Sequence, residues 1–337
     1  MLKNFWWGLG FSSEVSSQPK VFKALGQKLS VYRTPQKQLV ILNDACPKCK
    51  GALSAGKSDG ENNVCTCGAA YRPDGRSVSD DGTWVDAYPG WERYGWFWGF
   101  MGDLPAAERP PKPEMPYLAE PHWKRIEGKF AWNVHYARAL ENGADAAHAP
   151  FVHGGSFGNP DLPEIEEHTV EQQAYSARAT IHMTPQRAKG LWSKLYKSEP
   201  RPVKTVVGWW MPNMSILEVH LPLGKLFLFN AHVPVDDDHT ISHYIALRDF
   251  LKGGWADGDS HRRVIKIFSQ DQKVVEAQRP ELLPFDLGAE LHVKADAIQI
   301  AFRQTRRIFF DKGWALHGRG MSDAVIPSPI RREMQHV

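Results

Sequence analysis

The chain has 337 residues, of which 42% are hydrophobic and 11% aromatic, so it is long enough for one large domain or two ordinary ones. Its 41 basic and 38 acidic residues leave a net charge of +3, which gives no basic footprint for nucleic acid. The longest apolar stretch, residues 94–101, is too short to cross a bilayer, and the N-terminus lacks the apolar core of a signal peptide. We therefore expect a cytoplasmic protein that binds neither nucleic acid nor a membrane.

Short β-strands are predicted for the first part of the chain. Residues 21–33 and 38–45 are rich in strand-forming residues and are separated by the turn-like segment TPQK. A third β-rich segment, which is also rich in aromatic residues, covers residues 90–102. These patterns predict a small β-rich domain at the N-terminus.

A proline-rich stretch follows these strands. Residues 103–121 contain six prolines, which is typical of a linker or an extended crossover. We place the domain boundary in this stretch. The prediction is a first domain of residues 1–108 and a second domain of residues 109–337.

The four cysteines of the chain lie within 22 residues of one another, between predicted strands. They form the pattern C-x2-C-x15-C-x-C and are Cys46, Cys49, Cys65 and Cys67. In the reducing cytosol such clustering favours a bound metal over disulfides. The Gly, Ser, Asp and Asn residues between them predict a loop-built, rubredoxin-like metal site.

The second part of the chain combines helical and strand patterns. Residues 129–153 have helix-forming composition in their middle, and Pro150 should end or bend that helix. Strand-like patterns separated by turns cover residues 165–249 and predict an antiparallel sheet. Apolar residues at three- and four-residue intervals predict helices within residues 260–310, and Asp271 lies in the first of these. The whole chain is therefore predicted to have an α+β fold.

Two histidines and two carboxylates form the most informative pattern. Asp145, His148 and His153 read D-x-x-H-x-x-x-x-H, and Asp271 lies far downstream. Two imidazoles and one carboxylate on one side of a metal ion leave its other side open, as in the facial triad of non-haem Fe(II) oxygenases. A helix break after His148 would bring both histidines to one ion, since residues five apart on a straight helix do not share a face. Spacing alone is weak evidence for a metal site, because a histidine on a helix is usually just packed or solvated.

The segment ENGADAAHAPFVHGGSFG (141–158) resembles the iron-binding stretch of Rieske non-haem iron oxygenases, the terminal components of aromatic-ring hydroxylases and demethylases. The later segment VVEAQRPE (274–281) is similar to the sequence that follows the third ligand in that family. The resemblance implies that mononuclear Fe(II) is bound by His148, His153 and Asp271.

The resemblance also implies what surrounds the iron. Asp145 corresponds to the bridging carboxylate that carries electrons across a subunit boundary, from a cluster in one protomer to the iron of the next. It is also expected to orient His148 by accepting a ring N–H, with Asn142 as a further contact. The implied assembly is a homotrimer served by an electron-donating reductase or ferredoxin. The implied second domain is a helix-grip fold, in which an antiparallel sheet grips a long C-terminal helix.

The cysteine segment resembles the two loops of a Rieske domain but departs from them at the histidine positions. A Rieske cluster needs two histidines on one of its irons. Here Lys48 and Gly68 stand at those positions, and extra cysteines lie beside them. We predict a [2Fe–2S] cluster held by the four cysteines, with structural zinc as the alternative. Zinc has no redox chemistry, so in that case electrons would reach the iron from another protein.

The predicted activity is that of a terminal oxygenase that uses O2 and reductase-supplied electrons to hydroxylate or oxidatively demethylate a small organic, aromatic substrate. Four aromatic residues of the sheet are expected to line its pocket or to pack in the core: Trp209, Trp210, Phe227 and Phe229. One rival is an oxygenase with structural zinc on its cysteines and electrons from a partner protein's cluster. The other rival is a non-enzymatic ligand-binding protein.

Overall fold

The chain folds into two compact units in the computed structural model. The structure describes residues 1–154, 158–185, 201–316 and 325–335. One unit comprises residues 1–119, residues 233–240 and the C-terminal part from residue 309, and the other comprises residues 120–232 and 241–308. Helices and antiparallel sheets occur together, so the predicted α+β class is confirmed.

The first unit is built from short strands in three-stranded antiparallel sheets. The strands are β1 (Phe5–Phe11), β2 (Lys20–Ala24), β3 (Gln27–Arg33), β4 (Leu39–Asn43), β5 (Lys57–Ser58), β6 (Asn63–Val64), β7 (Ala70–Tyr71), β8 (Gly90–Arg93) and β9 (Trp96–Met101). They pair in the orders β1–β9–β8, β2–β3–β4 and β5–β6–β7. Single 3-10 turns lie at Ser12–Glu14, Leu53–Ala55, Ala106–Glu108 and Pro116–Ala119.

Two tight hairpins divide segments that the sequence pattern presented as continuous. Leu25 and Gly26 join β2 to β3 with φ of 53° and 76°, and Tyr94 and Gly95 join β8 to β9 with φ of 63° and 91°. Positive φ at both positions of a two-residue loop is the type I′ turn, whose twist suits a hairpin. Leucine and tyrosine are unusual at the first position of such a turn, so the sequence pattern predicted neither hairpin.

The C-terminal part packs into the first unit. The ring of Phe5 in β1 packs against those of Phe309 and Trp314, with 4.8 and 5.5 Å between ring centroids. Residues near the N-terminus and residues beyond 308 thus share one aromatic cluster. Asp86 accepts a hydrogen bond from Ser328 (2.8 Å) and forms an ion pair with Arg331. The division thus differs from the predicted boundary at residue 108, because burial of these rings and of Asp86 recruits residues beyond 309 to the first unit.

The second unit contains a seven-stranded sheet and the helices that cover it. The strands are β10 (Lys124–Trp132), β11 (Val170–Gln172), β12 (Ser176–Met183), β13 (Val203–Trp210), β14 (Met214–Leu221), β15 (Gly224–Pro234) and β16 (Thr240–Arg248), in the order β10–β16–β15–β14–β13–β12–β11. The helices of the described chain are α1 (Tyr136–Ala144), α2 (Ala149–Val152), α3 (Asp257–Val275), α4 (Ala297–Asp311) and, in the first unit, α5 (Pro329–Gln335). Further 3-10 turns lie at Gly254–Ala256, Leu287–Ala289 and Lys294–Asp296.

Helices α1 and α3 are held close to the sheet by small and aromatic residues. A Cβ on Gly143 of α1 would lie 2.4 Å from Ser215 Oγ of β14, so only glycine permits this approach. Phe268 of α3 packs its ring against Phe130 (5.3 Å) and Trp132 (5.6 Å) of β10. The buried residues of α3 recur at helical intervals and are Val264, Phe268, Asp271 and Val275. An aspartate thus occupies one position of an otherwise apolar stripe.

Among the residues that the structure describes, no helix is both long enough and apolar enough to cross a bilayer.

Candidate metal centres

The chain turns sharply between α1 and α2. Asp145 follows α1 in an extended conformation, and its carboxylate accepts hydrogen bonds from the backbone N–H groups of Ala147 (2.8 Å) and His148 (3.3 Å). Pro150 lies in the first turn of α2, where its missing N–H costs nothing. The expected helix break after His148 is therefore wrong in position. Helix α1 has already ended before Asp145, and His148 and His153 flank α2.

Three predicted ligand atoms converge in the second unit. Asp271 Oδ1 lies 3.0 Å from His153 Nε2 and 3.4 Å from His148 Nε2, and the two Nε2 atoms are 3.2 Å apart. Bonds of about 2.1 Å at right angles to one metal ion would place neighbouring ligand atoms about 3.0 Å apart. His153 and Asp271 are buried and His148 is half-buried. The spacing of these three atoms is thus that of ligands around a shared ion.

The hydrogen bonds of the two Nδ1 atoms determine which nitrogen of each histidine ring carries a lone pair. His148 Nδ1 lies 3.0 Å from Asp145 Oδ2, and His153 Nδ1 lies 3.1 Å from Gln270 Oε1. Because both partners are acceptors, each Nδ1 carries the proton and each Nε2 presents a lone pair. Asp271 Oδ1 is buried without a hydrogen bond of good geometry among the described residues. Three lone pairs therefore point at one another, an arrangement that a cation between them stabilises.

The pKa shifts of these groups also indicate that the site favours a positive charge. Burial lowers the pKa of His148, but hydrogen bonds to Asp145 and Asp271 outweigh it and raise this pKa to about 9. Burial raises the pKa of Asp271, but the two histidines outweigh it and hold this pKa below its usual range. Burial also raises the pKa of Asp145, but the hydrogen bond to His148 outweighs burial and keeps this pKa below its usual range. The site therefore favours a positive charge, from either a proton or a metal ion.

Two glutamines that the sequence did not single out complete the surroundings of the histidines. Gln270 precedes Asp271 on α3 and holds the ring of His153. Gln299 of α4 is buried, and its hydrogen bond to Asp145 helps to keep the pKa of that carboxylate low. Their one sequence signal is that Gln270 adjoins a predicted ligand. The predicted contact Asn142 lies beside these groups, where its backbone carbonyl accepts the N–H of Asp145 (3.2 Å).

A small cavity adjoins the three ligand atoms. Sheet and helix residues contribute an apolar lining, which includes Trp132, Met183, Val207, Leu217, Leu228, Ile267 and Phe268. Its polar residues, besides those around the ligands, are Asn142, Thr205, Asn230 and His232. The cavity is therefore a mainly apolar space with a few polar groups, as is usual for small-molecule sites.

The four sheet aromatics that were considered for this lining lie elsewhere. Phe227 and Phe229 stack on each other (5.7 Å between ring centroids), on the opposite face of β15 from the cavity residue Leu228. Trp209 donates a hydrogen bond to the Ile298 carbonyl (3.1 Å), and Trp210 follows it on the other face of β13. None of the four lines the cavity, so that expectation is wrong. Phe227, Phe229 and Trp210 lie on the other faces of their strands, because side chains alternate along a strand. Trp209 shares the cavity face of β13 but packs against Phe302 of α4 (5.5 Å between ring centroids).

Two of the cavity's polar groups are unpaired. Thr205 Oγ1 and Asn230 Oδ1 are buried without a hydrogen-bond partner among the described residues. The Asn230 amide nitrogen, in contrast, donates to Ser215 Oγ (3.1 Å), which fixes the side chain. Unpaired buried polar atoms cost free energy unless a ligand or water satisfies them. These two oxygens are therefore suited to meet the polar edge of a bound molecule.

A neutral histidine forms part of the wall next to Asn230. His232 Nε2 lies 2.8 Å from Ser215 Oγ, and His232 Nδ1 lies 2.7 Å from Ser242 Oγ, which also accepts the Trp132 indole N–H. Burial lowers the pKa of His232 to about 3, so the ring is uncharged near neutral pH. Serine hydroxyls can donate or accept, and they let the buried ring satisfy both nitrogens without a charge.

The four cysteine sulfurs converge in the first unit. Cys46 Sγ lies 3.9 Å from Cys67 Sγ, Cys49 Sγ lies 3.6 Å from Cys65 Sγ, and all four lie within 4.8 Å of one another. The cysteines are free rather than disulfide-bonded. Four bonds of about 2.3 Å to one tetrahedral metal ion would place the sulfur atoms about 3.8 Å apart. The observed spacing matches that arrangement.

Each of the two loops around the sulfurs has one cysteine in the core of this unit and one at its surface. Cys46 and Cys65 are buried with Leu53 and Tyr71, whereas Cys49 and Cys67 are exposed. The backbone N–H of Gly51 donates to Cys49 Sγ (3.4 Å). Burial raises the pKa of Cys46, but hydrogen bonds from the Cys49 backbone and the Tyr71 hydroxyl help to lower it to about 7.

Family models match both units. Residues 132–308, more than half of the chain, match the vanillate O-demethylase oxygenase C-terminal domain, and residues 5–86 match the Rieske [2Fe–2S] domain. The chain belongs to the Rieske oxygenase family. The resemblance inferred from the motifs at residues 141–158 and 274–281 is therefore confirmed.

Relatives of this Rieske oxygenase have names that refer to oxidative chemistry. The vanillate O-demethylase oxygenase subunit of a Pseudomonas strain is 24% identical over 48% of this chain and 48% of its own length. The methylxanthine N1-demethylase NdmA of Pseudomonas putida is 24% identical over 91% of this chain and 88% of its own. The matches span about half the length of the first three curated relatives, namely 53%, 48% and 44%.

Solved structures of the family share the fold. NdmA of Pseudomonas putida CBB5 with caffeine superimposes with a TM-score of 0.77 at 22% identity, covering 92% of both chains. Dicamba monooxygenase gives a TM-score of 0.69 at 15% identity and covers 94% of this chain and 99% of its own. This Rieske oxygenase thus shares the fold of these solved structures.

The family implies a [2Fe–2S] cluster and a non-haem iron, and the two sites fit these groups differently. His148, His153 and Asp271 present three lone pairs at the spacing of ligands on one ion, so they fit a mononuclear iron. The four thiolates do not fit a Rieske cluster, which needs two histidines and two irons. All four sulfurs lie too close together to be divided between two metal ions.

Proposed function

We propose that this Rieske oxygenase is the terminal component of an O2-dependent system that hydroxylates or oxidatively demethylates a small organic molecule. The observation that carries this proposal is the meeting of two imidazole Nε2 atoms and Asp271 Oδ1 beside an apolar cavity. A three-ligand face of this kind leaves the opposite positions of a bound ion free for O2 and substrate. Bound ferrous iron would bind O2 and pass to it the electrons that the reductase supplies, a chemistry that side chains cannot perform.

His148, His153 and Asp271 are the proposed iron ligands. One carboxylate and two neutral imidazoles offset only part of a 2+ charge, and they are ligand types that suit Fe(II). Gln270 holds the His153 ring with Nε2 inward, and Asp145 does the same for His148. Such partners fix the tautomer and the ring orientation, and they strengthen the ligand.

We assign Asp145 a second role as the bridging carboxylate of the family. It is hydrogen-bonded to His148 on one side and to Gln299 on another, and the low pKa keeps it ionised. In the proposed homotrimer it would link an electron donor to the iron ligand His148. Electrons would come from a reductase or ferredoxin partner. Asn142 would support this position from the end of α1.

The cavity favours a substrate that is mostly apolar but has a hydrogen-bonding edge. Its lining is dominated by aliphatic and aromatic side chains, while Thr205 Oγ1 and Asn230 Oδ1 are unpaired and His232 is neutral. A planar heterocycle or a substituted aromatic ring would bury its faces on the apolar wall. A polar edge would satisfy the two oxygens. The names of the relatives, which include vanillate, methylxanthine and dicamba demethylases, agree with this class.

Oxygen consumption tests the proposal. The iron-loaded protein is mixed with a surrogate reductase, NADH and a panel of methoxylated aromatics and N-methylated heterocycles, and O2 uptake and formaldehyde are measured. We expect at least one substrate to give O2 uptake and formaldehyde or hydroxylated product that disappear in the Asp271→Ala variant. Tight binding of panel members by fully iron-loaded protein without any turnover, with several donors tried, would instead identify a ligand carrier.

A further inference from the structure

We infer that the four cysteines hold a single tetrahedral metal ion, zinc, in place of the two-iron cluster that a Rieske domain normally carries. The ligands would be Cys46, Cys49, Cys65 and Cys67. Three independent features of the first unit support this assignment: the ligand types available in its sequence, the distances between the sulfurs, and the backbone at the position of a missing ligand.

The matched segment contains no ligands for a Rieske cluster beyond cysteine. Residues 5–86 match the Rieske domain, yet the sequence has no histidine before His122. A Rieske cluster requires two imidazoles on one iron, and these give it its high potential. The segment therefore cannot supply that ligand set. What it supplies instead is four thiolates, the set found in closed structural zinc sites.

The distances between the sulfurs distinguish one metal ion from two. In a two-iron cluster the ligand pairs belong to different irons, so the pairs are separated by the additional distance between the irons. Here every Sγ lies within 4.8 Å of every other, and the pairs Cys46–Cys67 and Cys49–Cys65 are 3.9 and 3.6 Å apart. These distances lie on either side of the sulfur–sulfur distance of about 3.8 Å that is expected around one tetrahedral ion with 2.3 Å bonds.

The backbone at Gly68 is organised for a cysteine turn and not for a histidine ligand. Gly68 has a φ of +87°, a conformation that is strained for a residue with a side chain. Its N–H donates to the Cys65 carbonyl (2.9 Å), which closes the turn that presents Cys65 and Cys67. At the other expected histidine position, the Lys48 side chain is exposed and lies 3.6 Å from Asp81. Neither position is prepared to hold an imidazole against a metal.

Zinc is the ion that this set of ligands selects. Four thiolates in a tetrahedron suit zinc or iron, and zinc stands above Fe(II) in the order of divalent affinities. The site has no open position, since four protein ligands complete the tetrahedron. Zinc carries no electrons, so, if the proposed oxygenase function holds, the electrons for its iron must come from a centre in another protein chain.

Metal and sulfide analysis of the Asp271→Ala variant tests the inference without measuring activity. This substitution disables the proposed iron site, so the remaining metal reports on the cysteines alone. We expect one zinc per chain, no acid-labile sulfide, and no visible absorption or reduced-state paramagnetic signal. Cys49→Ser and Cys67→Ser alter exposed ligands and should each lower zinc content at least about 10-fold, whereas the exposed control Lys48→Ala should retain zinc.

Growth in cobalt-supplemented medium provides a second measurement on the folded protein. Tetrahedral Co(II) thiolate should give visible d–d bands in the protein and none in the Cys67→Ser variant. Two irons with two sulfides per chain would overturn the inference, and one iron without sulfide would overturn the assignment to zinc. Failure of the oxygenase proposal would appear separately, as absence of iron from the unsubstituted protein or as iron-loaded protein without turnover.

Discussion

The two candidate metal centres of this chain differ in almost every physical respect. The cysteine site brings together four sulfurs from two loops within about twenty residues of sequence, at the spacing of a tetrahedron around one ion. The histidine–aspartate site takes ligands from α2's flanks and from the distant helix α3, and it presents them on one side only. A closed site can stabilise a fold but has no position for a reactant, whereas an open site can bind one. Sequence proximity of ligands thus accompanies the structural site, and convergence of distant ligands beside a cavity accompanies the proposed catalytic one.

Removing the third ligand of the open site should have the largest effect on activity. Asp271→Ala removes the one carboxylate among the three converging side chains. The two neutral imidazoles that remain would bind Fe(II) only weakly. We expect loss of iron from the purified protein and a fall in turnover greater than the 10–100-fold typical of outer residues. Iron analysis and O2 uptake measure this.

Asp259→Asn is the matched control for that substitution. Asp259 also lies on α3, but it is exposed and pairs with Arg263 on the same helix face. Iron content and turnover should match those of the unsubstituted protein. Equal loss of iron in both variants would show that the effect comes from the helix and not from the ligand.

Removing a buried thiolate should have the largest effect on stability. Cys46→Ser removes one of the four proposed sulfur ligands, and this sulfur is buried in the core of the first unit. Since metal-binding free energy contributes directly to folding, we expect the first unit to melt lower by about 10 °C or more. Differential scanning calorimetry should show this, with the iron content of the second unit retained. A single unchanged transition would mean that the cysteines hold nothing that stabilises the fold.

The two residues that hold the histidine rings should produce smaller and different losses. Gln270→Ala frees the ring of His153, and we expect about 10–100-fold weaker iron binding with restored turnover at excess iron. Asp145→Asn keeps the shape but loses the charge next to His148, so turnover should fall even when iron is saturating. Iron titration and single-turnover rates separate the two effects. Identical behaviour of both variants would remove any electron-transfer role from Asp145.

The smallest expected effect concerns substrate binding. Asn230→Leu removes an unpaired acceptor from the cavity, and we expect KM to rise about 10-fold with iron content unchanged. Phe229→Leu, one position earlier and on the opposite face of β15, is the control and should leave KM near its original value. If the two variants shift KM alike, the polar edge of the substrate lies elsewhere.

The convergence of His148, His153 and Asp271 could be predicted because the segments around them resemble those of a known family, whereas their spacing alone left their role open. The two histidines and Asp145 are joined by a single turn, and the aspartate of α3 lies in an apolar helical stripe where an acid is unexpected. Their surroundings could not be predicted. Gln299 reaches Asp145 from a helix more than a hundred residues away, and no periodicity records that contact.

Other differences arise from features with no sequence pattern. The hairpin at Leu25 needs a positive φ that is unusual for leucine, so the strand looked continuous. The C-terminal part joins the first unit through rings and an ion pair that depend on tertiary structure. The faces of β13 and β15 could not be assigned until the register of the sheet was known, and that register sends Phe227 and Phe229 away from the cavity.

Anomalous diffraction from crystals of the anaerobically prepared protein, recorded at the iron and zinc absorption edges, tests the central claim most directly. We predict an iron peak bonded to His148 Nε2, His153 Nε2 and Asp271 Oδ1, and a separate zinc peak at the centre of the four sulfurs. The absence of an iron peak at those three atoms in iron-loaded protein would contradict the proposed oxygenase chemistry.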